Sequence, residues 1–233
     1  MLGCCFEPVV IDPSAANDPK LALRALAGAA RTYLERLENA VAAKEFPPRC
    51  ALVTRVRGTG PGVSFGSLVA AVESGFPLSW SCPFEGSHNV SGAALTLEDA
   101  LEERRDDGFL FLKFKPGTRD LPLHIHPHSD RFIFVIGGRG FYHLSDLPLQ
   151  SLSRAAVRHL PARDRDALMF RRGVVHTFST TEHPLMLLSY HRPYIELEDQ
   201  DQYTCSDPPL TAAEFVSASA SQVSFDAAWT VVG

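Results

Sequence analysis

The sequence predicts a mainly β fold that carries a helical and irregular N-terminal extension, and three observations support this. Short apolar runs, Phe109–Phe114, Ala167–Phe170 and Leu185–His191, are bounded by turn-forming residues and have the length of strands rather than helices. Residues 124–136 follow a period of two, with His124, His126, Asp130, Phe132, Phe134 and Ile136 on one parity. Helical periodicity is confined to residues 1–108.

In chain order, Asp18 followed by Pro19 reads as an N-cap and first helical residue. Leu26, Ala30, Tyr33, Leu34, Leu37 and Val41 then recur at helical spacing until Pro47-Pro48. This helix has one apolar stripe, which either packs on its own barrel or offers a homodimer or partner contact. Residues 57–92 are rich in Gly, Ser and Pro and read as irregular, with a short helical turn at Leu68–Val72 and isolated aromatics Phe76, Trp80 and Phe84. Thr96 caps a second helix through the Asp99 amide, and Leu97, Ala100 and Leu101 continue it to a stop near Gly108. The strand Phe109–Phe114 follows directly. Glu196–Pro209 is acidic and polar, and the alternation in Phe215–Val232 allows one or two closing strands.

The densest chemistry lies in PGTRDLPLHIHPHSDRFIFVIGGRG and RDALMFRRGVVHTF. His124 and His126, two apart on a strand, project from one face about 7 Å apart, so both imidazoles reach one cation. Alone the pair is weak, because His-x-His is common on surface strands. The second segment strengthens it: Ala167–Phe170 reads as a buried strand, Arg171-Arg172-Gly173 as a turn, and Val174–Phe178 as the returning strand carrying His176. Imidazoles with one carboxylate, Asp130, make an N/O site for a first-row divalent ion.

At these residues the sequence resembles the cupin superfamily, whose two short motifs bring three histidines and an acidic residue onto one metal inside a double-sheet β-barrel. The likeness covers Phe109 to Pro193. Gly117, His124, His126, Asp130 and Gly137 stand in the first motif, and Asp166, Gly173 and His176 in the second. One extra residue separates Gly117 from His124, and Asp130 is shorter than the family's usual glutamate. Arg165, Arg171 and Thr180 stand where the family usually has glycine, proline and asparagine. The resemblance implies a double-stranded β-helix, or jelly-roll barrel, over residues 109–193. A helical and irregular extension at 1–108 would pack on it, and a C-terminal extension at 194–233 would supply closing strands.

Composition sets the outer bounds. With 233 residues, 45% of them hydrophobic, the chain suffices for one sizeable core. A net charge of −5 gives no general attraction to nucleic acid or anionic membrane. No window approaches the roughly 20 apolar residues of a membrane span, and no basic leader precedes an apolar run, so a cytoplasmic protein is expected. Cys4, Cys5, Cys50, Cys82 and Cys205 are odd in number and lack C-x-x-C spacing, which suggests reduced thiols rather than a disulfide framework. Arg154, Arg158, Arg163, Arg165, Arg171 and Arg172 form a basic stretch that reads as a solvated edge more readily than as a steering field.

The expected function is that of a metal-binding cupin acting on a small organic molecule, with mononuclear oxidoreductase chemistry of dioxygenase type leading. A non-catalytic metal or metabolite sensor and a metal-dependent isomerase are the alternatives. One divalent ion per chain, Fe, Mn, Ni, Co or Zn, is expected on His124, His126 and His176, with Asp130 completing or tuning the set. Phe132, Phe134, Phe170 and Phe178 are expected to wall the substrate, and His128 or His191 to transfer protons. His88, His143, His159 and His183 read as ordinary loop or surface residues.

Overall fold

The structure is a computed structural model and describes residues 9–11, 15, 17–58, 65–84, 87–102, 106–197, 199, 201–215 and 229–232. Cys4 and Cys5 lie outside the described residues, as do positions 216–228 of the expected closing region. Strand β1 (Val9–Ile11) leads into helix α1 (Pro19–Ala42), β2 (Ala51–Gly58), helix α2 (Phe65–Gly75), β3 (Val90–Thr96), helix α3 (Leu97–Leu101) and β4 (Gly108–Phe114). Then come β5 (His124–Ile125), β6 (Asp130–Ser145), β7 (Arg158–Arg163), β8 (Asp166–Phe170), β9 (Val175–Ser179) and β10 (Leu185–Arg192). The last elements are β11 (Thr204–Cys205), helix α4 (Ala212–Phe215) and β12 (Trp229–Val232).

Two sheets share one long strand. The first runs β2-β8-β6-β10-β4-β3 with antiparallel neighbours, and β1 and β12 both pair with β2 at its outer edge. The second runs β7-β6-β9-β5-β11. Residues 130–138 of β6 pair with β10, whereas residues 139–145 pair with β7 and β9 in the other sheet. The strand changes sheets at Gly138, where φ is 75° and an added Cβ would lie 1.9 Å from the Pro184 carbonyl oxygen. Only glycine combines that φ with so close a backbone approach. The result is a mainly β, curled jelly-roll barrel of the double-stranded β-helix kind.

The barrel interior is apolar, lined by Leu110, Leu112, Phe114, Ile133, Val135, Leu168, Phe170 and Leu187. The outer face of the first sheet holds a second core. There, Leu23, Leu26, Leu34 and Leu37 of α1 and Leu68 and Val72 of α2 are buried with Phe109, Phe111, Phe132 and Phe134. Each fully buried leucine contributes about 1.5–3 kcal/mol, so this stripe is a large part of the molecule's stability. It is spent on the chain's own barrel and is not a free sticky face.

Helix α1 begins as its sequence implies: the Asp18 carboxylate accepts from the Leu21 amide at 3.0 Å, and Pro19 occupies the first turn. It stops at Ala42, ahead of Pro47, because Lys44 takes a left-handed φ of 61°. Thr96 accepts from the Asp99 amide at 3.2 Å and caps α3. Two features depart from expectation. The segment read as irregular contains the eleven-residue α2, whose alanines and buried Leu68, Val69 and Val72 outweigh its flanking glycines. Strands β2 and β3, which precede residue 109, are integral to the first sheet, because β2 pairs with β8 and β3 with β4. Among the described residues no helix is long and apolar enough to cross a membrane.

Candidate metal centre

His124 on β5 lies directly opposite His176 on β9, and His126 follows two residues on. The ring centroids are 4.4 Å apart for His124 and His176, and 5.1 Å apart for each of the other two pairs. One nitrogen from each ring falls within 4.8 Å of the others, and all three side chains are buried. The opposite nitrogens are held by the backbone. Nδ1 of His124 pairs with the Pro122 carbonyl at 2.9 Å, that of His126 with the Gln202 carbonyl at 2.6 Å, and that of His176 with the Val174 carbonyl at 3.0 Å. A carbonyl only accepts, so each Nδ1 carries the proton and each Nε2 keeps its lone pair for a ligand. The backbone hydrogen bonds also hold the ring planes.

Burial keeps these rings neutral. Desolvation, opposed by the bond to Pro122, lowers His124 to about 4. Burial first, then the positive charge of Arg131 and the other histidines, takes His126 well below its ordinary value. His176 is lowered well below it in the same way, with His124 the next largest cause after burial. Neutral imidazoles in this geometry fit a first-row divalent ion, which would be held by His124, His126 and His176.

Asp130 stands outside this cluster. The sequence parity that joined it to the histidines fails because the chain bends at Pro127-His128 before β6 begins. In β6 Asp130 is opposite Arg192, and its carboxylate accepts from the Arg172 amide at 2.9 Å and from Arg172 Nε at 3.2 Å. Arg192 approaches within 3.7 Å of its other oxygen and also reaches Glu38 of α1 at 3.0 Å. The carboxylate therefore pins the Arg171-Arg172-Gly173 turn and the helix to the barrel. Gly173 also donates to the His126 carbonyl at 3.0 Å, so the turn braces the histidine strand directly.

With the parity reset, it is Arg131 that turns inward. It lies opposite His191 on β10 and Phe170 on β8, is 1% exposed, and its charge acts on all three histidines. Nη1 donates to Ser129 Oγ, which in turn donates to the Pro193 carbonyl. Burial lowers this guanidinium to about 9 against the supporting charge of Asp130, so it remains a cation at neutral pH.

The same bend relocates the expected wall. Phe132 and Phe134 face α1 and α2, with Tyr33 6.1 Å from Phe132 and Phe65 5.5 Å from Phe134. Phe170 and Phe178 do border the site, 4.3 and 6.0 Å from His176 between ring centroids. Phe84 and Tyr203 complete the aromatic side, 5.4 and 5.7 Å from His124. His191 is buried 6.3 Å from His126, with Nε2 on Ser189 Oγ at 3.0 Å, whereas His128 is exposed at the bend. Arg131, Phe84, Tyr203 and Gln202 did not emerge from strand periodicity. Of these, Phe84 is legible in the sequence as an isolated loop aromatic that either lines a ligand cavity or anchors its loop to the core.

No protein-family model and no curated protein matches the chain. Solved structures do. Oxalate decarboxylase from Lactobacillus farciminis, in a formate complex, aligns over 56% of this chain and 34% of its own, at 14% identity and a TM-score of 0.42. The polyketide cyclase RemF from Streptomyces resistomycificus aligns over 49% of this chain and 72% of its own, at 16% identity and a TM-score of 0.40. A cupin-like protein from Thermotoga maritima aligns over 45% of this chain and 68% of its own, at 20% identity and a TM-score of 0.35. The match spans about a third of the decarboxylase chain. Of these three, the Thermotoga maritima protein is described as cupin-like. The jelly-roll barrel itself is defined by the strand order and the shared strand described above.

Proposed function

We propose that the protein is a mononuclear metal-dependent cupin enzyme acting on a small organic molecule, with oxidoreductase chemistry of dioxygenase type. The observation that carries this reading is the triad itself: three neutral imidazoles, each with Nδ1 fixed on a backbone carbonyl, and one nitrogen of each ring within 4.8 Å of the others. A ferrous ion there would supply oxygen binding and electron transfer at the coordination positions that three ligands leave open. The chain's own residues do the rest. The backbone carbonyls orient the ligands, while Phe84, Phe170, Phe178 and Tyr203 exclude water from one side and offer an apolar surface to a substrate.

One observation favours a second reading. His191 Nδ1 is buried without a hydrogen-bond partner among the described residues, and its ring adjoins His126, so it is positioned to accept or return a proton as an isomerase requires. The two readings differ in oxygen demand. Protein loaded with Fe(II) and supplied with candidate small molecules should consume dissolved oxygen and form an oxygenated product, and His124→Ala should abolish both. A product isomeric with its substrate, formed without oxygen uptake, would select the isomerase. Tight ligand binding with no metal-dependent product would contradict both and favour a sensor.

A further inference from the structure

Arg131 turns inward on the strand face to which the sequence parity had assigned Asp130. It is 1% exposed, points into the barrel beside His191 and Phe170, and Nη1 is used on Ser129. Nε and Nη2, the two nitrogens whose N–H bonds run parallel along one edge of the guanidinium, are buried without a partner among the described residues. A buried cation with an unmade pair of strong donors costs several kcal/mol unless something supplies acceptors. The shape of the unfilled need is specific, because a side-on guanidinium edge matches two carboxylate oxygens.

Charge balance points the same way. Three neutral imidazoles do nothing to offset a divalent ion, and Arg131 adds a further positive charge beside them. Asp130, the adjacent carboxylate, supports Arg131 through space but spends its hydrogen bonds on Arg172. Among the described residues the site thus brings together the Arg131 cation and three neutral imidazoles, with no carboxylate in the histidine cluster.

We propose that Arg131 is an anion-recognition residue and that the small molecule taken by the site bears a carboxylate, which lies on the Nε–Nη2 edge next to the histidine triad. The proposal deepens the function proposed above and rests on it for the role of the carboxylate as part of a substrate. Metal and carboxylate then strengthen each other's binding, because each offsets charge that the other feels, and the coupling is reciprocal.

Acetate is the probe, with chloride at equal ionic strength as the control, and both are tested on metal-free and cobalt(II)-loaded protein. Arg131→Met keeps the length and removes the charge, and Arg131→Lys keeps the charge and removes the fork. In wild type, acetate should raise the melting temperature and tighten cobalt binding, as read from the cobalt visible absorption. In Arg131→Met the acetate affinity should fall by about tenfold or more, with Arg131→Lys between the two. In acetate-free buffer Arg131→Met should melt no lower than wild type, since a buried charge with two unmet donors has been removed. Equal acetate affinity in wild type and Arg131→Met would overturn the proposal, and so would chloride matching acetate. A lower melting temperature for Arg131→Met in acetate-free buffer would also overturn it, because the arginine would then be structural and satisfied by buried water. The same titrations separate the two readings. Arg131-dependent acetate binding without cobalt binding refutes the metal centre and leaves the anion site. Cobalt binding with Arg131-independent acetate does the reverse.

Discussion

At the scale of single residues, the buried histidines determine how the protein responds to acid. Burial lowers His124 to about 4 and His143 to about 3, and lowers His126, His176 and His191 well below their ordinary value; His159 is lowered too. In the unfolded chain each takes a proton near pH 6.5. Between about pH 4 and 6.5 the unfolded state therefore binds more protons, and stability rises with pH across that window. Asp166 works in the opposite direction: burial raises its carboxyl to about 6, so the folded state holds a proton that the unfolded state has released. One carboxyl opposes six imidazoles, so the net slope is positive. The melting temperature of metal-free protein should fall steadily from pH 7 to pH 4.5, and a flat or rising profile would contradict the burial described here. The histidines of the triad were legible in the sequence, because strand pairing and a two-residue interval leave little choice of face. Asp130, Phe132 and Phe134 were misplaced by one step of parity. A bend at Pro127-His128 reversed the faces of everything after it, and period-two reasoning is blind to such a bend.

At the scale of elements, capping chemistry and periodicity located α1 and α3 closely, since Asp18 and Thr96 make the hydrogen bonds their positions imply. Helix α2 was under-read because its identity comes from packing on the sheet more than from its own composition. The change of sheets within β6 rests on one glycine. Gly138→Ala must place a methyl group 1.9 Å from a backbone oxygen at a φ of 75°, and should cost about 1–3 kcal/mol or more in chemical denaturation. Gly28 is the control. It lies within α1 with nothing within 4 Å of an added Cβ, so Gly28→Ala should stabilise by about 0.5–1 kcal/mol. Equal responses from the two glycines would show that the strand crossing is not built as described.

At the scale of the whole molecule, the helical stripe, the first sheet and the triad form one mechanical unit. Helix α1 covers the outer face of the sheet, and Glu38 on it holds Arg171 at 3.4 Å and Arg192 at 3.0 Å. Those arginines adjoin the turn and the strand end that meet at Asp130, so the helix braces the loop that supports His126. Within the basic stretch, Arg154 pairs with Glu214, Arg165 with Asp164, Arg171 with Glu38 and Arg172 with Asp130. The barrel could be anticipated from its strands, but the share that residues before 109 contribute to it could not, because β2 and β3 gain their place from pairing with distant strands. The central claim is that three histidines, without Asp130, hold one divalent ion. Crystals grown with cobalt(II) and measured at the cobalt absorption edge should show one anomalous peak per chain, about 2.0–2.1 Å from Nε2 of His124, His126 and His176. A peak bonded to Asp130, or no peak at the triad in cobalt-saturated crystals, would contradict it.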